Sequence, residues 1–234
     1  RQIWIQLNHL NMNNFIELKN LTKNYFNQKK VNVLKNLNYK FKKGKIYSLV
    51  GPSGSGKSTL LNILSLIDRP TMGSVTIDNK KINFANININ DKFRSDNYGI
   101  IYQDKNLLND FTAMENISLA GIANGKSMNK SLQLAEKILK KLKLIKRSTH
   151  FPSELSGGEN QRIAIGRALI NSPNIIIADE PSGNLDYKNA KEFFKLLLNL
   201  KSEKRIIIYA THNRFFANLA DCRLQLINGK LKSI

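Results

Sequence analysis

Residues 46–59 read Ile46-Tyr47-Ser48-Leu49-Val50-Gly51-Pro52-Ser53-Gly54-Ser55-Gly56-Lys57-Ser58-Thr59. An apolar run of strand length passes into a glycine-rich loop and then into a helical run over 57–67, an order that opens an α/β nucleotide-binding core. From Gly51 to Ser58 the loop fills the pattern GxxxxGK[ST]. Glycines let successive backbone N–H groups converge on phosphate oxygens, and the helix that follows turns the positive end of its dipole toward the same anion. Lys57 is placed to reach the β- and γ-phosphates, and the Ser58 hydroxyl to ligate magnesium, with Thr59 closing the loop. ATP is the expected ligand.

Upstream, β-prone runs at 15–21, 31–41 and 46–50 are separated by polar turns and predict an antiparallel opening section, the third run also feeding the loop. Downstream, the near-continuous apolar runs 98–102, 174–178 and 205–210 suit parallel strands covered on both faces. Between the first two of these the chain reads as mostly helical. Leu132, Ala135, Leu139 and Leu142 recur at three- and four-residue intervals, giving one apolar face to a helix near 127–144. No internal repeat or sustained heptad is present.

Two further stretches carry chemistry. Ile175-Ile176-Ile177-Ala178-Asp179-Glu180 is an apolar strand ending in two carboxylates, lifted to the carboxyl end of a parallel sheet where ligands bind. Asp179 suits the magnesium site, and Glu180 suits a water attacking the γ-phosphate in line. Leu155-Ser156-Gly157-Gly158-Glu159 precedes a strong helical pattern over 160–170, so glycine-exposed amides stand at a second helix N-terminus. One phosphate loop has no use for two such sites in one chain, which points to a homodimer in which each copy closes over the other's γ-phosphate.

With these motifs in this order, the chain over about 14–234 resembles the ATP-binding subunits of ABC (ATP-binding cassette) transporters. The resemblance implies a P-loop NTPase core with an antiparallel β section and a helical subdomain over about 104–172. It also implies roles for single residues. Tyr25 corresponds to the adenine-stacking aromatic, Gln103 to the glutamine that senses magnesium and water, and His212 to the γ-phosphate-sensing histidine. Ser156, Gly157, Gly158 and Glu159 correspond to the signature that meets the other subunit's ATP, and Asp186, in Ser182-Gly183-Asn184-Leu185-Asp186, to the dimer-communicating loop. The catalytic set is then Glu180, His212, Gln103 and Lys57, and the Mg²⁺ set Ser58, Gln103 and Asp179. Three positions depart from the usual family wording: Asn160, Gly166 and Asn213.

Tyr102-Gln103-Asp104-Lys105-Asn106-Leu107-Leu108 and Phe111-Thr112-Ala113-Met114-Glu115-Asn116-Ile117 are similar to the branch serving lipoprotein release, macrolide-type export and cell division, and most to the lipoprotein-releasing ATPases. That implies transmembrane permease partners and a peripheral place on the cytoplasmic face of a bacterial inner membrane, with contact expected over 103–120.

Composition bounds the alternatives. With 41% hydrophobic and 23% charged residues the chain has the make-up of a folded globular domain. No run approaches the ~18 apolar residues of a membrane span and no secretory pattern opens the sequence, so a soluble, cytoplasmic chain is expected. The single cysteine, Cys222, excludes an internal disulfide or a cysteine metal cluster. The formal net charge of +20 favours polyanionic partners or reflects scattered lysines alone. It leaves open a soluble ABC ATPase acting on nucleic acid; against that reading, the chain lacks the long coiled coils of chromosome-acting members and the paired cassettes of translation-type ones, and no nucleic-acid partner is expected. Residues 1–13 are expected to be an N-terminal extension or an upstream addition and carry no assigned function.

Overall fold

The computed structural model describes residues 14–27, 29–104, 106–183 and 185–234. The extension 1–13, and Lys105 and Asn184 within the quoted motifs, lie outside the described residues.

Two sheets share one side of the core. The first is antiparallel, in the order β2-β1-β4-β5, from β1 (Asn14–Asn27), β2 (Lys29–Lys42), β4 (Met72–Ile77) and β5 (Lys80–Lys81). The second has the order β10-β9-β3-β8-β7-β6. Its members are β3 (Ile46–Val50), β6 (Tyr98–Ile101), β7 (Ile175–Asp179), β8 (Ile206–Ala210), β9 (Cys222–Ile227) and β10 (Lys230–Ser233). All its neighbours pair in parallel except β10, which returns antiparallel to β9. The expected antiparallel section therefore holds for 15–21 and 31–41 but not for 46–50. That run lies between β8 and β9 in the parallel sheet, because its residues are buried on both faces and need a covered central position.

Side-chain alternation splits the hydrophobic core into two layers. Ile175 and Ile177, Ile206 and Ile208 join the layer formed with the antiparallel sheet and α1 (Lys57–Leu64). Ile176 and Ala178, Ile207 and Tyr209 point the other way, into a layer with α3 (Ala113–Ala123), α4 (Met128–Lys141), α5 (Gly157–Leu169) and α6 (Tyr187–Leu198). Two further α-helices, α2 (Ile87–Asn97) and α7 (Arg214–Ala217), and 3₁₀ turns at Ile145–Arg147 and Pro152–Glu154 complete the described set.

Helix ends follow local chemistry. Thr112 and Glu115 form a capping box on α3, and Ser127 caps α4 at Lys130 N. Ala135 and Leu139 of the predicted apolar stripe are fully buried, but α4 stops at Lys141, short of 144, where Leu142 caps it and Lys143 turns left-handed. Likewise α1 ends at Leu64 rather than 67, since Leu66 has φ +59°.

Candidate functional site at the carboxyl ends of the parallel strands

The sheet order makes β3, β8, β7 and β6 consecutive neighbours, so the loops leaving their carboxyl ends converge. The glycine loop leaves β3, His212 follows β8, Glu180 follows β7 and Gln103 follows β6. Together they line a cleft of about 540 Å³, with Ser53, Gly54, Gly56, Lys57, Ser58 and Thr59 on one side and Gln103, Glu180, Gly183 and His212 on the other. Val33 of β2 closes the edge.

The loop is built to take an anion. α1 begins at Gly56 with no side-chain cap, so its first amide N–H groups have no side-chain acceptor among the described residues. Gly56 sits at φ +100°, and a Cβ there would lie 2.8 Å from Val33 Cγ1; both conformation and space demand glycine. The Lys57 ammonium curls back over the loop, donating to Gly51 O at 3.0 Å and Pro52 O at 3.1 Å. A cation held by two carbonyls inside a ring of amides is poised to transfer to phosphate oxygens, which bind it more strongly.

On the opposite wall, Glu180 Oε2 accepts from the His212 backbone N–H at 3.3 Å and lies 3.0 Å from His212 Nδ1. Glu180 itself takes φ +42°, a left-handed conformation that an L-residue adopts at a cost of about 1–3 kcal/mol, and its N–H is tied to Ala210 O at 3.2 Å. The next strand therefore holds the strained residue in place, with its carboxylate at the cleft. Such a carboxylate can accept a proton from a water, and the neighbouring imidazole can donate to a phosphate oxygen. Asp179, one residue earlier, has a buried Oδ1 with no hydrogen-bond partner among the described residues. Gln103 reaches across to Gly183, where an added Cβ would stand 3.1 Å from Gln103 Nε2.

Other candidates stand outside this cleft. Tyr25 does not line it; its hydroxyl donates to Asp68 Oδ2 at 2.8 Å and comes within hydrogen-bond reach of the Thr59 side chain at the end of the loop. None of Ser156, Gly157, Gly158 or Glu159 lines it either. They form the N-terminus of α5, where Ser156 Oγ accepts from Glu159 N at 3.2 Å and Glu159 Oε2 accepts from Ser156 N at 2.8 Å. That backbone donation, with Arg147 at 3.0 Å assisting, holds the Glu159 carboxyl below its ordinary range. Asp186 caps α6, accepting from Asn189 N at 2.9 Å and from Asn189 Nδ2 at 2.5 Å. The same Asn189 presses on the signature: a Cβ on Gly158 would stand 2.6 Å from Asn189 Oδ1. Sequence reasoning passed over Val33, Asp68 and Asn189, none of which belongs to a local motif.

Two of the departures from the usual wording, Asn160 and Asn213, are explained by hydrogen bonds beside the site. Asn160 Nδ2 donates to Pro152 O and Leu155 O, pinning the segment that leads into Ser156. Asn213 caps α7 by accepting from Phe215 N at 2.9 Å, leaving Glu180 to hold His212.

Comparison with known proteins agrees with this geometry. The ABC transporter family pattern matches residues 34–183. The lipoprotein-releasing system ATP-binding protein LolD of Wigglesworthia glossinidia brevipalpis is 44% identical over 94% of the chain and 98% of its own length. LolD of Rickettsia bellii is 42% identical over the same shares. The macrolide export ATP-binding/permease protein MacB of Mannheimia succiniciproducens is 42% identical over 93% of the chain and 34% of its own length. Among solved structures, the dimeric ATP-binding cassette MJ0796 in a post-hydrolysis state with ADP and Pi superposes with a TM-score of 0.85 at 38% identity, covering 94% of this chain and 97% of that one. A phosphate loop facing a glutamate and a histidine across one cleft, in a fold shared with a nucleotide-hydrolysing cassette, makes this an ATP hydrolase, and the chain belongs to the ABC transporter family.

Proposed function

We propose that this chain is the ATP-hydrolysing subunit of a lipoprotein-releasing transporter, working as a homodimer on transmembrane permease subunits at the cytoplasmic face of the inner membrane. The observation that carries the reading is the likeness to LolD proteins, 44% identical along 98% of one relative's length. Residues 14–234 form the ABC domain, with 104–172 as its helical subdomain. The MacB relative keeps a second reading, macrolide export, in view.

In the proposed cycle the loop from Gly51 to Thr59 and the free amides of α1 receive the phosphates, and Lys57 moves from its two carbonyls to the β- and γ-oxygens. Glu180 orients the attacking water and takes its proton, and His212 donates to the γ-phosphate. Ser156 to Glu159 of the second copy cover the γ-phosphate from the far side, and Asp186 joins the two sites.

The residues at hand fit a Mg²⁺ ion. Asp179 offers a buried carboxylate oxygen with no donor among the described residues, and Ser58 and Gln103, both carrying side-chain oxygens, line the cleft. Bound with ATP, the ion would neutralise developing charge on the β- and γ-phosphates.

Contact with the permease is assigned to 103–120. Its exposed apolar residues, Leu108 and Phe111, are held by the buried Asn116, whose side chain accepts from Leu108 N at 2.8 Å and donates to Phe111 O at 2.8 Å. A loop pre-ordered this way loses little entropy on docking.

The test is affinity purification from detergent-solubilised membranes with mass-spectrometric identification of what accompanies the chain. Partners with few transmembrane helices and a large periplasmic domain, together with bound lipoprotein, support lipoprotein release. Recovery of a macrolide-type exporter or a many-helix importer permease instead would overturn the assignment while leaving the ATPase intact.

A further inference from the structure

We propose that Lys23 and Asp68 are positioning residues for the nucleotide base, holding the Tyr25 ring at the rim of the phosphate-loop cleft so that base affinity and base selectivity depend on them. The proposal rests on reading Tyr25 as the aromatic that stacks on adenine.

Tyr25 lies near the carboxyl end of β1 with 42% of its surface exposed, so burial alone does not fix its ring. Tyr25 is fixed by polar contacts instead. Its hydroxyl donates to Asp68 Oδ2 at 2.8 Å. The other carboxylate oxygen, Asp68 Oδ1, accepts from Lys23 Nζ at 2.6 Å and from Arg69 N at 2.7 Å. Lys23 is 8% exposed, and its ammonium also donates to Arg69 O at 2.8 Å. A desolvated ammonium needs such a complement of partners, and it confines both residues to one geometry.

The same ammonium lies 4.7 Å from the centroid of the Tyr25 ring, within cation–π range. One ring face is thereby occupied, which leaves the opposite face for a purine. Lys23 and Tyr25 are two apart on a strand and share its face, so β1 supplies the cation and the ring together while the 65–71 turn after α1 supplies the carboxylate. Because α1 also carries the loop, the network ties the base position to the phosphate position.

Burial alone would raise the Asp68 carboxyl; hydrogen bonds from Lys23, Tyr25 and Arg69 N outweigh it and keep the group below its ordinary range. It is thus ionised at neutral pH and accepts from all three.

A merely structural clamp between β1 and the turn would hold the fold without regard to the base. Steady-state ATPase assays on the full chain separate the two. Tyr25→Phe keeps the ring and removes the tether; Asp68→Asn and Lys23→Met loosen it from the other end. Freeing one side chain that must be re-ordered on binding is worth about two- to tenfold in affinity. We expect each variant to raise KM for ATP by about that factor with kcat within about twofold, to narrow the preference for ATP over GTP, and to leave inhibition by inorganic tripolyphosphate, which has no base, unchanged. Tyr25→Phe with Asp68→Asn should give no more than the larger single effect, since both cut one link. An unchanged KM in Tyr25→Phe, or an equal loss of tripolyphosphate affinity, would overturn the positioning role. Tyr25→Ala distinguishes the failures. A raised KM in Tyr25→Ala with normal Tyr25→Phe and Asp68→Asn sinks only this proposal, whereas an unchanged KM in Tyr25→Ala sinks the stacking reading beneath it.

Discussion

Glu180 combines a strained backbone with a carboxylate at the cleft, and strain of that kind persists where surrounding structure over-determines it. Glu180→Gln keeps the shape and the acceptor for His212 N but cannot take a proton. Hydrolysis should fall by about 100-fold or more while ATP binding is retained, read by phosphate release beside equilibrium binding of a fluorescent ATP analogue. Turnover at the parent rate would remove Glu180 from the mechanism. Asn213 is expected to matter only as a cap: Asn213→Asp should be neutral in melting temperature and ATPase rate, and Asn213→Ala should cost about 1 kcal/mol, measured by urea denaturation. The acid limit of stability also belongs to single residues. Hydrogen bonds from Thr112 and Ser156 hold Glu115 and Glu159 low, and Asp68 stays low despite burial. A folded pKa below the unfolded one gives stability that is complete above the unfolded value, about 4, and lost as pH falls through the folded value. Melting temperature should therefore be flat from about pH 7 to 5 and fall below about pH 4, with a shallower fall in Asp68→Asn.

At the level of elements, Gly166 of α5 faces the space filled by α3 and α4. A Cβ there would stand 2.7 Å from Ile117 Cδ1, 3.0 Å from Ile138 Cγ2 and 3.1 Å from Leu142 Cδ1. Alanine would gain up to about 1 kcal/mol of helix propensity, but overpacking a closed site costs about 1–3 kcal/mol, and Ile117 is fully buried. Crowding wins, so Gly166→Ala should lower stability by about 1 kcal/mol in a denaturant titration; a stabilised variant would mean that the three helices shift freely. The same packing explains what could be read in advance. β7 and β8 carry near-continuous apolar runs because both faces are covered, and those runs pointed to a parallel core, whereas β3, with Ser48 at its middle, was expected in the antiparallel section. β4, reading Met72-Gly73-Ser74-Val75-Thr76-Ile77, buries only part of one face and gains its strand form from pairing with β1. α2 has one buried residue, Asn90, and no apolar stripe to announce it. Apart from Val33 of β2, the cleft residues were legible because each sits in a short motif beside a strand end. Asp68 and Asn189 were not, since their partners arrive from distant elements and leave no local spacing.

For the whole molecule, the controlling facts are that the N-terminus of α5 and the cleft do not meet within one chain and that each chain carries a formal net charge of +20. Two such chains repel at long range, and each bound ATP brings negative charge to the place where they would join. Association of the Glu180→Gln variant should therefore require ATP. Light scattering after size exclusion should show a 26.6 kDa species without nucleotide and about twice that mass with it. Screening shortens the reach of the repulsion to about 10 Å at 0.1 M salt, so raising NaCl from about 50 to 300 mM should strengthen the ATP-bound dimer. Nucleic-acid binding would behave in the opposite way, because counterion release makes it weaken steeply over that range. Ser156→Arg places bulk and charge at the α5 N-terminus, away from the chain's own cleft. It should keep ATP binding to the single chain and lose the dimer. A Ser156→Arg variant that still doubles in mass with ATP would show that the two copies meet through another face.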